Sequence, residues 1–160
     1  MIEIKNLTKQ FNKGTLTALD NVSCEIESNK IVGFIGPDGA GKTTLLRMIV
    51  GILTPNSGEI LIDGQHVDIY EKNNPNSISI HDLQKMLSYM PQKFGLYEDL
   101  TVMENLELYA QLQNLHGDEK QKSFDSVLSL TKLSNFTNRL AGNLSGGMKQ
   151  KLGLACALVK

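Results

Sequence analysis

The glycine-rich segment at positions 36–43 restricts the fold more than any other feature of the chain. It reads Gly36-Pro37-Asp38-Gly39-Ala40-Gly41-Lys42-Thr43, which matches the pattern G-x-x-x-x-G-K-[ST]. In that pattern, successive backbone N–H groups turn towards an anion, and the loop joins a buried strand to the start of a helix. The flanking sequence fits, because residues 30–35 are almost entirely apolar and residues 43–50 carry apolar side chains at helical spacing. We therefore predict an α/β lobe with a phosphate-binding loop.

The residues that end this loop have predicted roles at a nucleotide. The ammonium of Lys42 would neutralise the β- and γ-phosphates, and the hydroxyl of Thr43 would bind Mg²⁺. Thr44 supplies the next N–H and hydroxyl, which are placed for the α-phosphate. The loop alone leaves open a kinase, a GTPase, a helicase or a transporter motor, and a glycine-rich turn without a ligand is the simpler alternative.

Composition and charge exclude several classes of protein. Hydrophobic residues make up 41% of the 160 residues and the formal net charge is −1, so there is no overall basic field for nucleic acid. Residues 1–5 do not resemble a secretory signal, and no apolar run approaches the ~20 residues of a membrane span. We therefore expect a cytoplasmic protein that reaches a membrane only through a partner. Cys24 and Cys156 lack metal-site spacing, which favours reduced thiols in the core.

Periodicity divides the chain into a mixed lobe at residues 1–98 and a helical segment at residues 99–160. In the lobe, short apolar or alternating runs predict strands at residues 2–5, 22–27, 59–62 and 88–90. A short helix is expected at residues 82–87, and residues 71–79 have the polar composition of a surface insertion.

The helical segment begins with a capping box, Thr101-x-x-Glu104, which predicts a helix with an apolar side. That side consists of Val102, Leu106, Tyr109, Ala110 and Leu112. A second amphipathic helix is predicted at about residues 119–130, and a last helix starts at Ser145.

The sequence Leu144-Ser145-Gly146-Gly147-Met148 predicts a second anion site at the start of this last helix. Ser145 stands where an N-cap is expected, and the two glycines leave backbone N–H groups accessible. A plain serine-capped helix is the alternative. A single nucleotide cannot easily use both this site and the loop at residues 36–43 within one subunit.

With both motifs, the chain resembles the nucleotide-binding domain of ABC ATPases over essentially its whole length. Gly36 to Thr43 matches the Walker A motif of that family, and Leu-Ser-Gly-Gly matches the signature that binds the γ-phosphate of ATP on the opposite subunit. This resemblance implies ATP and Mg²⁺ as ligands, with Ser145, Gly146 and Gly147 facing a partner's nucleotide.

Two further residues take roles from the resemblance. Tyr89-Met90-Pro91-Gln92 is similar to the Q-loop, in which Gln92 would reach Mg²⁺ and the attacking water. Phe11 fits the aromatic residue that stacks on adenine, although an ordinary core phenylalanine is the alternative. Residues 94–106 resemble the segment that touches a membrane subunit. Lys149, Gln150 and Lys151 are interpreted as a solvated helix face.

The resemblance is strongest to the ATPases of drug and small-molecule exporters of the ABC-2 type. It implies a head-to-tail pair of such domains, peripheral on the inner face of the cell membrane through a separate permease, with Lys42 and Gln92 serving catalysis. A soluble ABC ATPase acting in translation or DNA repair is the alternative.

In this family an apolar strand ending in Asp, then a catalytic Glu, follows the signature helix. The 160 residues end before such a strand. We therefore expect an incomplete fold at the C-terminus, residues 31–35 that lack a sheet neighbour, and a chain that binds nucleotide but hydrolyses it poorly.

Overall fold

The computed structural model describes residues 1–70, 74–92 and 95–160, which form two compact units. The first is Met1–Leu87 and the second is Ser88–Lys160. Each unit has its own hydrophobic core. The predicted boundary between residues 98 and 99 stays a prediction.

The first unit is built on a four-stranded antiparallel sheet with two helices. Its strands are β1 (Ile2–Phe11), β2 (Leu16–Ile26), β3 (Ser57–Ile62) and β4 (Gln65–His66), in the order β2-β1-β3-β4. Its helices are α1 (Lys42–Ile49) and α2 (Ile80–Met86). The predicted strands at residues 2–5, 22–27 and 59–62 are all present, and β1 and β2 are longer than predicted.

The core of the first unit lies between one face of the sheet and these helices. Ile4, Leu7 and Ile60 from the strands pack with Leu45 and Met48 from α1. The helical spacing predicted for residues 43–50 is present, with Leu45, Met48 and Ile49 buried and Leu46, which also fits the apolar stripe of the sequence, exposed. Alternation along β1 puts Ile4 inside and Lys5 outside, and irregular pairing after Ile4 resets the register so that Leu7 is again buried.

The predicted buried strand at residues 30–35 is wrong for this structure. These residues have no strand pairing, and the side chains of Ile31 and Ile35 are 105% and 99% exposed. A parallel strand is stabilised only when neighbours pair with both of its edges and cover both of its faces. Within the described ranges no strand does this. Phe34 alone of this run packs against the core.

The second unit is helical. It contains α3 (Val102–Leu112), α4 (Gly117–Thr131) and α5 (Gly146–Leu158), with short 3₁₀ turns at Ser134–Phe136 and Ala141–Asn143. The three predicted helices are therefore confirmed. The strand predicted at residues 88–90 does not form, and Leu112 is exposed because α3 ends there.

The core of the second unit is where the three helices meet. Leu106 of α3, Phe124 of α4 and Leu152 of α5 are each almost fully buried within it. The side chain of Thr101 accepts a hydrogen bond from the backbone of Glu104, and Glu104 returns one, so the predicted capping box is present. No helix in the described ranges is long and apolar enough to cross a membrane.

Two predictions fall partly outside the described residues. The polar insertion at residues 71–79 includes Glu71, Lys72 and Asn73, and the segment at residues 94–106 begins at Phe94, none of which is described. Residues 74–79 lead through a backbone bridge between Val67 and Ile78 into α2.

Candidate functional site

The backbone of the loop at residues 36–43 curves around the side chain of Lys42. The ammonium of Lys42 donates hydrogen bonds to the carbonyl oxygens of Gly36 and Pro37, each at 2.7 Å. The amide of Ala40 donates to the carbonyl of Pro37, which tightens the turn. These contacts hold a full positive charge inside the curve of the loop. Gly36 to Ala40 are exposed, so an anion could reach this charge from solvent.

Gly41 connects the loop to α1 and needs to be a glycine for two reasons. Its φ is +84°, in the left-handed region, and a Cβ there would lie 2.4 Å from the carbonyl oxygen of Ala18 in β2. The loop is thus packed against the backbone of β2. Sequence reasoning predicts the glycine but does not identify the strand behind it.

This contact locates Phe11 relative to the loop. Phe11 pairs with Leu16 in the β1–β2 ladder, and Leu16 is two residues from Ala18. Two residues of a strand span about 7 Å. Phe11 is half-buried, and the ammonium of Lys9 lies 5.3 Å from the centroid of its ring. An aromatic ring at this end of the hairpin, beside the loop, is suited to stack on the base of a nucleotide.

The residues that begin α1 offer hydroxyls at the same place. Thr43 is exposed and Thr44 is half-buried in the first turn of the helix. Helix N-termini carry unpaired N–H groups and a positive dipole end, which favour phosphate.

The hydroxyls at the start of α1 are suited to Mg²⁺ only if a nucleotide binds the same ion. Hydroxyl and amide oxygens are hard ligands of the kind Mg²⁺ prefers, and it commonly takes its remaining ligands from phosphates and water. Among the described residues no group of three or more His, Cys, Asp or Glu could hold a metal.

The second predicted anion site lies at the start of α5 in the other unit. The hydroxyl of Ser145 accepts a hydrogen bond from the amide of Met148 at 3.3 Å, which confirms the predicted N-cap. Ser145, Gly146 and Gly147 are exposed. The first turn of α5 contains no acidic side chain, so its N–H groups and dipole face solvent without a carboxylate of their own helix.

Gln92 is exposed and lines a cavity of about 610 Å³ in the second unit. Met90 and Pro91 form one side of it. The other side is a face of α5 that includes Gly147, Lys151 and Leu154. The structure therefore brings Gln92 and Gly147 to one cavity, an association that the sequence did not indicate.

Two polar contacts near α5 were also missed from sequence. Asn105 is fully buried and fixes the turn before α3. Its side-chain NH₂ group donates to the backbone carbonyls of Tyr97, Leu100 and Thr101. Its side-chain oxygen accepts a hydrogen bond from the backbone amide of Tyr97. A polar residue on the apolar side of a predicted helix is the signal that could have found it.

The other missed contact corrects a sequence prediction. Lys149 is not simply part of a solvated helix face, because its ammonium lies 2.6 Å from the carboxylate of Glu98 and its side chain is only 24% exposed. The two residues are far apart in sequence, so no local pattern predicts the pair. Gln150 and Lys151 are exposed, as predicted.

Comparison with known proteins agrees with these motifs. Residues 19–160 match the family model described as ABC transporter. A probable multidrug ABC transporter ATP-binding protein from Escherichia coli is 48% identical over 159 residues. The match covers 99% of this chain and 26% of that protein, so the chain spans about a quarter of the length of this relative.

Solved structures of similar fold are ABC cassettes. The cbiO1 protein of Clostridium perfringens, part of the ABC transporter complex cbiONQ, has a TM-score of 0.83 at 27% identity, covering 99% of this chain and 61% of its own. The dimeric ATP-binding cassette MJ0796, bound to ADP and Pi, has a TM-score of 0.79 at 30% identity, covering 99% and 69%. The chain therefore belongs to the ABC transporter family, and its fold is that of an ABC ATP-binding cassette.

Proposed function

We propose that this chain binds ATP as the nucleotide-binding part of an ABC-type exporter. The observation that carries the proposal is the Lys42 ammonium, held at 2.7 Å from two loop carbonyls and open to an anion on the exposed side of the loop. Phosphate would exchange with those carbonyls as the partner of Lys42, and the α1 N-terminus would add its dipole.

Each predicted residue has a role in this proposal. The N–H groups of residues 36–41 and the charge of Lys42 bind the β- and γ-phosphates, and Thr44 binds the α-phosphate. Phe11 stacks on adenine. Thr43 supplies an oxygen ligand to Mg²⁺, which neutralises phosphate charge when bound. The role of Gln92 at Mg²⁺, which the family resemblance implies, stays a prediction.

Titration calorimetry of the 160-residue chain with ATP and Mg²⁺ tests the binding. Lys42→Ala should weaken binding at least ~10-fold, since a charge-assisted contact to phosphate is lost. Lys122→Ala, which removes an exposed lysine of α4, is the matched control and should leave the affinity as it is. Equal affinities for the Lys42→Ala and wild-type chains would refute the assignment.

We further propose that two such cassettes close head to tail, with Ser145, Gly146 and Gly147 of each meeting the γ-phosphate held by the other. The support is the exposed, carboxylate-free start of α5, together with the dimeric form of the similar cassette MJ0796. Sedimentation of the chain with a non-hydrolysable ATP analogue would reveal the dimer. Ser145→Arg should weaken the dimer, because it removes the capping hydroxyl and places a long side chain at the proposed contact.

Transport through a separate membrane subunit, which would keep the chain peripheral on the inner face of the membrane, is the role we propose for the closed dimer. The 48% identity to a probable multidrug transporter protein favours an exporter. Co-purification with a membrane protein from the native cell would support this role, whereas co-purification with ribosomes or DNA would support the soluble alternative.

We also infer that the 160 residues by themselves turn ATP over slowly. Within them no apolar run ending in Asp follows α5 to supply a metal carboxylate. Steady-state hydrolysis by the purified chain above the Lys42→Ala background would contradict this.

A further inference from the structure

The segment that precedes α3 is bonded directly to the segment that precedes α5. The amides of Ala141 and Gly142 donate to the carbonyls of Leu100 and Glu98, at 2.8 and 2.9 Å. In the other direction, the amide of Val102 donates to Arg139 at 2.9 Å. The two segments, 98–103 and 137–142, therefore form a short backbone ladder that ends three residues before Ser145.

This ladder is anchored in the core on one side. Asn105 fills the turn at residues 97–101 with four hydrogen bonds and is fully buried. Ala141 on the opposite segment and Leu144, which follows that segment, are buried in the core of the second unit. A buried and satisfied polar network of this kind rigidifies its surroundings. The carboxylate of Glu98 therefore projects from a fixed backbone.

Lys149 stands at a position that its own helix disfavours. It is in the first turns of α5, where a positive side chain opposes the helix dipole, and no acidic residue of that turn compensates it. The compensation comes from Glu98, 51 residues earlier, at 2.6 Å. The amide of Lys149 also donates to the carbonyl of Ser145, at 2.8 Å, so the side chain that meets Glu98 belongs to the same helical turn as Gly146 and Gly147.

We propose that Lys149 is a positioning residue, whose ion pair with Glu98 sets the first turn of α5 so that the amides of Gly146 and Gly147 receive the phosphate of a second copy's nucleotide. The ladder fixes residues 142–144 through the backbone, and the ion pair fixes the turn that follows through a side chain. Between these two attachments lie Ser145, Gly146 and Gly147, which are exposed and have little packing of their own. The functional part of the inference rests on the proposed head-to-tail closure; the positional part does not.

The first experiment measures how readily this turn opens in the absence of nucleotide. Amide hydrogen exchange at Met148 and Lys149, whose amides donate to the hydroxyl and the carbonyl of Ser145, is followed by NMR in the 160-residue chain. Glu98→Gln and Lys149→Gln should each speed exchange about two- to five-fold, the range expected for loss of a partly exposed ion pair. Lys149→Arg, which keeps the positive charge and the length of the side chain, should leave the exchange rates at their wild-type values.

A second ion pair in the same unit provides the matched control. Lys120 and Glu107 lie 2.9 Å apart with 28% and 38% exposed side chains, and they join α4 to α3, so neither residue belongs to α5. Glu107→Gln should leave exchange at Met148 and Lys149 unchanged. Equal acceleration in Glu98→Gln and Glu107→Gln, or none in Glu98→Gln, would overturn the positioning of this turn by Lys149.

The second experiment measures function. Glu98→Gln should weaken dimerisation driven by a non-hydrolysable ATP analogue about two- to five-fold, in proportion to the exchange effect, and leave calorimetric ATP affinity at the Lys42 loop unchanged. Faster exchange with unaltered dimerisation would overturn the functional part. A wild-type chain that binds no ATP would instead refute the proposed function, and the exchange data would still decide the role of Lys149.

Discussion

At the scale of single residues, Gly41 shows how one position can meet two separate demands. Its φ of +84° requires a left-handed conformation, and Ala18 leaves no space for a Cβ. Gly39 has almost the same φ, +82°, but nothing lies within 4 Å of its Cβ position. Both glycines belong to the same loop. A substitution at Gly39 would therefore test conformational strain alone, whereas one at Gly41 would test strain and steric exclusion together.

Thermal unfolding without ligand should distinguish the two substitutions. Gly39→Ala should cost about 1 kcal/mol, the strain of a left-handed alanine. Gly41→Ala should cost clearly more, because the 2.4 Å contact with a backbone oxygen also forces β2 and the loop apart. Equal losses would mean that the loop moves freely away from β2.

Cys156 illustrates a residue whose chemistry is set by burial. Desolvation in the core of the second unit raises the pKa of its thiol from 9.0 to about 12. At pH 8 the thiolate fraction therefore falls from roughly one in ten to about one in ten thousand. In a Cys24→Ala chain, native Cys156 should react with a disulfide reagent orders of magnitude more slowly than the same thiol in urea.

The same shift has a consequence for stability. Because the folded state holds the thiol proton more tightly, the contribution of Cys156 is intact below pH 9 and is lost as pH rises from 9 towards 12. Rapid modification of native Cys156 at pH 8 would contradict its burial.

At the scale of elements, the start of α3 depends on the capping box. The amide and hydroxyl of Thr101 donate to the carboxylate of Glu104 at 2.7 and 2.8 Å, and the backbone contact lowers the pKa of that carboxyl below its usual 4.5. This support is present above pH 4.5 and is lost as pH falls through the lowered value.

Substitution of the cap should change both stability and titration. Thr101→Ala should cost about 1 kcal/mol of unfolding free energy. An NMR titration of the Glu104 carboxyl should give a midpoint below 4.5 in the wild type and a higher one in Thr101→Ala, which lacks the hydroxyl. Identical midpoints would show that the backbone bond alone holds the carboxylate.

At the scale of the whole molecule, the two units have cores that share no residue. Ile60 is fully buried in the first and Leu106 in the second. Truncation of either to alanine should cost about 2–5 kcal/mol within its own unit. Hydrogen exchange should then show lost protection in the sheet for Ile60→Ala and in α3 to α5 for Leu106→Ala, whereas equal loss across both units would indicate a single cooperative structure.

Much of this molecule was predictable because the relevant interactions are local. The helix starts at Thr101 and Ser145 follow from caps that act over three residues. The lysine of the glycine-rich loop bonds to carbonyls five and six residues away. The periodicity of α3 predicted three of its buried residues, Val102, Leu106 and Ala110.

The predictions that failed depended on distant partners. Residues 30–35 have the composition of a buried strand, but composition cannot supply the neighbouring strands that hydrogen-bond and cover it. The prediction for residues 88–90 failed for the same reason, because a three-residue run has no strand character of its own without pairing. Leu112 fits the apolar period of α3 but is exposed because the helix ends at that residue.

The sequence by itself determined the motifs of the two candidate phosphate sites and the helices that begin at them, since each depends on residues within one or two turns. Only the tertiary structure decided what stands behind those sites. Ala18 closes the space behind Gly41, and Glu98 meets Lys149 across 51 residues. Such contacts form when packing of the core brings remote backbone segments together. A local sequence pattern does not indicate which remote residues will meet.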